Sequence, residues 1–427
     1  MKSDILIVGS GVGGATVAKE LTLRGHNVTI LEKGRHHKLG NEREAWKFYS
    51  NQKTVEGMEI LRTVMVGGSS IVTLANGVRS LENELSRIGI NLEAEFREAE
   101  NELGISPFPE QFMGERTKKL MQASTELGYK VKPMPKYIDF QKCRRCGFCG
   151  QGCKYGAKWS AQKSIGEALK AGAKLLTDVS VERVLHSNGE VKGVLAHGSS
   201  GFNEISAQNV ILAAGAMETP VILQKSGLTN AGENFFADPY IDTVGIVEKA
   251  SVGEEVSMAT VIDEFHKERG FILSPAFDQK WTMFFNLPAL KKVHVLYRHK
   301  IMMIMTKIKD DDVGSIDSKG HISKPLTESD TKKLAEGDET AREILLQAGA
   351  SQNSLCTMKV RAGHPGGTVG IGRVVDANHE TEISRLFVSD ASVLPEAPGL
   401  PPVLTIVALS KRFSRILSSQ YMKALKK

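Results

Sequence analysis

The opening stretch, MKSDILIVGSGVGGATVAKELTLRGHNVTILEKG, constrains the fold more than any other part of the chain. Asp4 leads into the continuous apolar run Ile5, Leu6, Ile7 and Val8, the pattern of a strand buried on both faces of a parallel sheet. The run ends in glycines: Gly9, Gly11 and Gly14 stand in G-x-G-x-x-G register, with Gly13 beside them. The first suits a tight turn, the second lets a pyrophosphate approach the backbone, and the third lets a helix pack closely on the strand. Val17, Ala18 and Leu21 then repeat at helical spacing. A diphosphate would lie at that helix's N-terminus, where free N–H groups and the helix dipole favour anions. A second strand, Val28 to Leu31, runs into Glu32. A carboxylate there accepts hydrogen bonds from a ribose diol and repels a 2′-phosphate, which selects FAD or NAD and not NADP.

With 427 residues the chain is long enough for two or three domains. Its 41% hydrophobic and 24% charged content belongs to a globular enzyme, not to a disordered or fibrous chain. It starts directly on a strand, without a stretch resembling a signal peptide, and no apolar run reaches the roughly 18 residues of a membrane span. A cytoplasmic location is the expectation. The net charge of +6 comes from Lys and Arg spread along the chain, densest at Lys291 to Lys300 and Lys423 to Lys427. No basic stripe with interleaved aromatics appears, so no nucleic-acid partner is expected. The basic tail and a short apolar patch are the one hint of peripheral membrane contact.

Further along, Val66-Gly67-Gly68-Ser69-Ser70 and Asn76-Gly77-Val78-Arg79 combine small residues that let backbone and a flat ligand come close. Glu82 to Leu103 and Arg116 to Leu127 read as amphipathic helices. Lys174 to Val184, Val191 to Ala196 and Asn209 to Ala214 read as strands, the last running into Gly215. The segment from Tyr240 to Ala350 differs in texture. It has strand-like stretches at Val244 to Val247 and Ile301 to Ile308, an aromatic patch at Trp281, Phe284 and Phe285, and a helix near Ser329 to Leu346. This predicts an inserted substrate-facing domain with an antiparallel sheet. The chain then returns through His364-Pro365-Gly366-Gly367-Thr368 and Val388-Ser389-Asp390-Ala391-Ser392 to a closing helix, Pro402 to Leu417.

GSGVGG with Glu32, VGGSS with Asn76, ILAAGAMETPVILQKSG at Ile211 to Gly227, GHPGGTVGIGRVVD at Gly363 to Asp376, and LFVSDASVLPEAPGLPPVLTIVALSKR at Leu386 to Arg412 occur in this order. Together they resemble the glucose-methanol-choline (GMC) family of FAD-dependent oxidoreductases. The resemblance implies an α/β fold: a Rossmann-like, glutathione-reductase-like FAD-binding domain on a parallel sheet, with an inserted α+β substrate domain on an antiparallel sheet. The expected boundaries are 1–239 with 351–427, including a Cys-rich loop at 140–160, for the first and 240–350 for the second.

It also implies that Gly9, Gly11, Gly13, Gly14 and Glu32 hold the adenosine diphosphate, that Val181 contacts adenine through its backbone, and that Gly68, Ser69 and Asn76 line the flavin side. Ala214, Gly215, Asp390 and Ala391 are expected near the ribityl and diphosphate. His364 matches the family's active-site histidine. An imidazole with an ordinary pKa of about 6.5 is suited to accept a hydroxyl proton as hydride leaves the same carbon. One departure stands out. Where the family has an Asn or a second His before the closing helix, this chain reads Leu400-Pro401-Pro402-Val403-Leu404-Thr405.

Cys143-x2-Cys146-x2-Cys149-x3-Cys153 has the spacing of an iron–sulfur ferredoxin loop, and Gly147, Gly150 and Gly152 permit the bend around a cluster. Long-chain alcohol oxidases of the family look similar here, at Gly152, Cys153, Gly156 and Lys158. Three readings stand side by side: a [4Fe-4S] or [3Fe-4S] cluster, a zinc site, or thiols that only brace the loop. Cys356 reads as a remote fourth ligand or as a buried core thiol. With a cluster, electrons would leave the flavin for a carrier protein or quinone-like acceptor, making a dehydrogenase and not an oxidase.

The expected activity is FAD-dependent oxidation of a CH–OH group, with Met302, Met303, Met305, Trp281, Phe284 and Phe285 pointing to an apolar alcohol unless they simply fill the core. The alternatives are a flavin-dependent reductase or isomerase of a carbonyl or isoprenoid-like double bond, or an electron-transfer flavin subunit of a larger complex.

Overall fold

The computed structural model describes residues 2–39, 42–198, 201–248, 250 and 252–424. In chain order the principal elements are β1 (Lys2–Val8), α1 (Val12–Leu23), β2 (Val28–Leu31), α2 (Ala161–Lys170), β3 (Lys174–Leu176), β4 (Ser180–Ser187), β5 (Glu190–Gly198) and β6 (Gly201–Leu212). They are followed by β7 (Pro239–Ile246), β8 (Phe271–Pro275), β9 (Ile301–Ile308), α3 (Glu328–Gln347), β10 (Leu386–Val388) and α4 (Val403–Ala424).

The first sheet runs β3-β2-β1-β6-β5-β4, with β10 also paired to β6. β1 is parallel to both neighbours, placing Ile7 beside Ile30 and Ile211. Ile5, Leu6 and Ile7 are fully buried, which is why one unbroken apolar run was needed. β6 changes role along its length: its first half pairs antiparallel with β5, its second half lies parallel between β1 and β10. α1 packs against α2 and α4, so the closing helix stands directly behind the dinucleotide turn.

The second sheet has nine strands, β7, β9 and β8 at its centre. Met302 and Met303 face Gly245 and Val244 across the β7–β9 ladder, and α3 covers one face with Leu334, Ala341, Ile344 and Leu345. Gly337 permits the close approach, since a Cβ there would meet Thr306 Cγ2 at 2.2 Å. Strands 52–53, 59–60, 131–133, 260–262, 356–357 and 361–362 complete this sheet. It therefore draws on segments well outside 240–350. All its pairings are antiparallel except Arg361–Ala362 on Glu59–Ile60.

Two predicted elements are interrupted. The helix expected over Glu82 to Leu103 is two helices, Glu82–Arg87 and Glu93–Leu103, separated where Gly89 takes φ +80° and Asn91 Oδ1 accepts from the Glu93 N–H. The strand expected over Lys174 to Val184 breaks at Asp178, with φ +58°, so that Val179 N–H can bond the Glu32 carbonyl.

Beneath the second sheet, Lys324 is fully buried with Asp310 at 3.0 Å and Asp330 at 3.7 Å. Asp310 in turn accepts from the N–H groups of Ala237 and Asp238. Lys324→Met leaves the Asp310 carboxylate buried without its cation and Asp330 with only Lys333 at 3.6 Å, and is expected to cost about 3–5 kcal/mol of stability in a urea-unfolding experiment.

Candidate active site

The glycine turn, the β2 terminus, the 63–76 segment and the second sheet converge on a single continuous cavity of about 340 Å³, within the range of small-molecule sites. The predicted glycines divide by role. Gly9 has φ +102°, and a Cβ on it would stand 2.3 Å from the Ala213 carbonyl oxygen. Gly13 and Gly14 would place a Cβ 1.8 Å from Ser389 O and 2.1 Å from Gly9 O. These positions are glycine because backbone meets backbone. Gly11 is different: a Cβ there meets nothing within 4 Å, so its bare face opens on the cavity. Gly14 does not line the cavity, and its lack of a Cβ serves the packing of α1 on β1.

Gly11 caps α1 without any side-chain bond, which leaves the first-turn N–H groups free for an anion. At the other end of β2, Glu32 is buried. Its Oε2 accepts from Ser10 N (2.9 Å) and Ser10 Oγ (2.6 Å), and its Oε1 from Gly34 N (2.7 Å). A carboxylate has about four acceptor positions, so capacity remains toward the cavity, where Val181 also lies. Ala214 and Gly215 line the same space, Gly215 with φ +88°. Asp390 holds that turn in place: its Oδ2 accepts from Gly215 N (2.9 Å) and Thr219 Oγ1 (2.6 Å), and its Oδ1 from Ser392 N (2.8 Å). Ala391 follows on the cavity wall.

Gly68, Ser69 and Asn76 line the cavity as well. Asn76 is held by a side chain the sequence did not single out. Lys136, fully buried, donates from Nζ to Asn76 Oδ1 (2.6 Å), Leu74 O (2.8 Å) and Ser257 O (2.9 Å). Burial without a carboxylate partner pushes its pKa down to about 7.

His364 lines the cavity with its side chain a quarter exposed. Its Nδ1 lies 3.0 Å from Asp238 Oδ2 and 2.8 Å from Lys307 Nζ, and Lys307 Nζ lies 3.1 Å from the same Asp238 oxygen. Asp238, at the start of β7 with φ +46°, is fixed further by the Gly399 N–H on Oδ1 (3.0 Å). Burial, then the Lys307 charge, hold the imidazole pKa below its ordinary value, with Asp238 opposing. Burial raises Asp238, but Lys307 and His364 outweigh it and leave it low. Neither Asp238 nor Lys307 was anticipated. The available signal was a lysine inside the apolar run Ile301 to Ile308, because a lysine in a buried strand requires a partner. Pro401 and Pro402 line the cavity and bring no hydrogen-bonding side chain.

The structure bears on three further expectations. Cys143, Cys146, Cys149 and Cys153 are free thiols, and among the described residues no group of three or more His, Cys, Asp or Glu side chains is placed to hold a metal ion. Cys143, Cys149 and Cys153 pack on the apolar core of the first domain, and burial pushes the Cys149 thiol up to about 11. No iron–sulfur or zinc site is therefore supported among the described residues. Cys356 is buried beside β7 with its Sγ 4.0 Å from His294 Nδ1, a core thiol. Of the six residues expected to offer an apolar substrate surface, only Met305 lines the cavity. Met302 and Met303 fill cores, while Trp281 and Phe285 lie half-exposed with Trp46. No helix of the described residues is long and apolar enough to cross a membrane.

Comparison with known proteins assigns the chain to a family. The GMC oxidoreductase N-terminal family model matches residues 3–254, and the C-terminal one residues 319–410. The chain belongs to the GMC oxidoreductase family. An uncharacterized protein of Methanocaldococcus jannaschii is 31% identical over 420 residues, covering 96% of this chain and 99% of that protein. A long-chain-alcohol oxidase of Arabidopsis thaliana is 24% identical, over 96% of this chain and 67% of its own. Among solved structures, pyridoxine 4-oxidase from Mesorbium loti superposes with a TM-score of 0.74 at 16% identity, over 97% of this chain and 99% of that one. Formate oxidase of Aspergillus oryzae gives the same TM-score at 15% identity, over 99% of both chains. These likenesses show the two-sheet GMC fold.

FAD is the cofactor expected of a GMC oxidoreductase, and the residues fit it: an uncapped helix N-terminus, an open Gly11 and a carboxylate with spare acceptor capacity share one cavity with His364. Glu32→Ala removes the charged acceptor and is expected to weaken FAD binding about 10- to 100-fold in a fluorescence-quenching titration.

Proposed function

We propose that this GMC oxidoreductase uses FAD to oxidise the CH–OH group of an apolar alcohol, with His364 taking the hydroxyl proton. The observation that carries the reading is one cavity joining the dinucleotide cradle at Gly11 and Glu32 to the buried Asp238–Lys307–His364 cluster. When bound, FAD supplies the two-electron acceptor for the hydride that leaves the alcohol carbon. Gly9, Gly11, Gly13 and Glu32 hold its adenosine diphosphate with Val181 beside the adenine, while Gly68, Ser69 and Asn76 lie on the flavin side and Ala214, Gly215, Asp390 and Ala391 between. His364 is left to orient the substrate hydroxyl and remove its proton.

Apolar substrates are favoured by apolar residues in the wall of the cavity that His364 also lines: Met258, Met305, Leu74, Pro401, Val403 and Ile406. The similarity to a long-chain-alcohol oxidase points the same way. No metal-holding group is found among the described residues, so a carrier-protein acceptor reached through the cysteine loop is not part of this reading. A panel of alcohols mixed anaerobically with FAD-loaded protein tests the reading. Aliphatic primary alcohols are expected to bleach the flavin band and sugars to leave it. Reoxidation of the reduced protein by enals or polyprenyl compounds, with no bleaching by any alcohol, would establish the reductase alternative instead.

A further inference from the structure

The sharing of His364 Nδ1 by two neighbours sets a question of proton placement that the cluster itself answers. One ring nitrogen cannot accept from Lys307 and donate to Asp238 at once. Two arrangements satisfy the distances of 2.8, 3.0 and 3.1 Å. In the first, a protonated Lys307 donates to Nδ1 and to Asp238, and the ring carries its hydrogen on Nε2. In the second, Lys307 is neutral, Nδ1–H donates to Asp238, and Nε2 presents a lone pair. Only the second can take a proton from an alcohol at Nε2, a nitrogen with no hydrogen-bond partner among the described residues.

We propose that His364 is a tautomer-switching relay and that Lys307, a positioning residue behind it, is where the alcohol proton comes to rest. The hydroxyl O–H bond breaks as Nε2–H forms, Nδ1–H breaks as the third N–H of the Lys307 ammonium forms, and Asp238 stays ionised throughout. The imidazole is neutral at both ends of the step, so no imidazolium has to be held in a buried site. The electrons leave the alcohol carbon as the hydride that bound FAD accepts, which is where this inference rests on the alcohol-oxidation reading.

The surroundings fit this assignment. Lys307 is 3% exposed, and burial holds its pKa below the ordinary lysine value despite Asp238, keeping the neutral amine accessible. Asp310, paired with Lys324, also faces Lys307; His266, hydrogen-bonded to Pro398 O and with its pKa lowered chiefly by burial, and Lys309, paired with Glu396, complete the titratable environment. Lys307 reaches the cavity itself and provides a second polar group where Pro401 and Pro402 bring none. Reversed, the same relay donates a proton from Nε2 to a carbonyl oxygen, so low pH favours the protonated arrangement and high pH alcohol oxidation.

Histidine-selective ¹⁵N NMR on the FAD-loaded protein tests this, with the His364 signals assigned by their loss in His364→Gln. The wild-type ring is expected to exchange its Nε2–H tautomer for the Nδ1–H tautomer as pH rises, at a midpoint below the ordinary lysine value of about 10.4. Lys307→Met should hold the Nδ1–H tautomer wherever the ring is neutral. Lys307→Arg, which keeps the charge and cannot give up its proton, should hold Nε2–H wherever the ring is neutral and slow flavin reduction by alcohols about 10²-fold. Identical tautomer behaviour in wild type and both variants would overturn the relay. A normal tautomer switch in a protein that no alcohol reduces would instead overturn the alcohol reading and leave the relay standing.

Discussion

His364→Asn protein is expected to bind FAD like the wild type yet to be reduced by its alcohol 10²- to 10⁴-fold more slowly, roughly the contribution of a positioned general base. The ring belongs to the cavity wall and not to the core: its side chain is a quarter exposed, and its protein contacts run through Nδ1 to Asp238 and Lys307. Removing it leaves Asp238 and Lys307 paired at 3.1 Å, so the fold keeps its buried charges balanced. Single-turnover absorbance of the flavin band, with FAD content measured on the same sample, separates loss of chemistry from loss of cofactor. A wild-type rate in His364→Asn would assign the base elsewhere.

The second large effect is expected at the glycine turn, where two neighbouring alanines should fail for opposite reasons. In Gly13→Ala the new methyl would sit 1.8 Å from Ser389 O and 2.7 Å from Ser389 C. Both are backbone atoms at the end of β10, and no rotamer relieves the clash. Either α1 or the β10 loop must move, which places the variant in the rare class that costs more than about 4 kcal/mol. Thermal unfolding should show a large drop in Tm or no soluble protein. In Gly11→Ala the methyl meets nothing within 4 Å, so the apoprotein should melt near the wild-type temperature. FAD binding should nevertheless be lost, because the methyl stands where a pyrophosphate must approach the backbone. Equal stability losses in the two variants would remove the distinction between a packing glycine and a ligand glycine.

Much of the dinucleotide half is legible in the chain because its signals are local. Ile5 to Val8, the glycines, Val28 to Leu31 and Glu32 lie within 34 residues, and each reports on its own conformation. The His364 region was legible through resemblance. What surrounds His364 was not, because Asp238, Lys307 and Gly399 come together only when β7 pairs with β9 in the register that sets Tyr240 opposite Lys307. Such a pairing leaves no mark at either site beyond a lysine in an apolar strand. The cysteine loop shows the converse. Ligand spacing is a condition on sequence, but ligation also needs the side chains brought to one point, and among the described residues no such group is found, while Cys143, Cys149 and Cys153 pack on the neighbouring core. The second sheet escaped delimitation for a related reason: strands as short as 59–60 and 361–362 are too brief to show period-two alternation.

Hydride removal from a carbinol carbon beside His364 is the central claim, and deuterium at that carbon tests it most directly. FAD-loaded protein mixed anaerobically in the stopped flow with an aliphatic primary alcohol, protiated or deuterated at the carbinol position, should lose its flavin band with both and measurably more slowly with the deuterated one. A flavin that binds in the cavity but stays oxidised with either form, or that is reduced at the same rate by both, would contradict it.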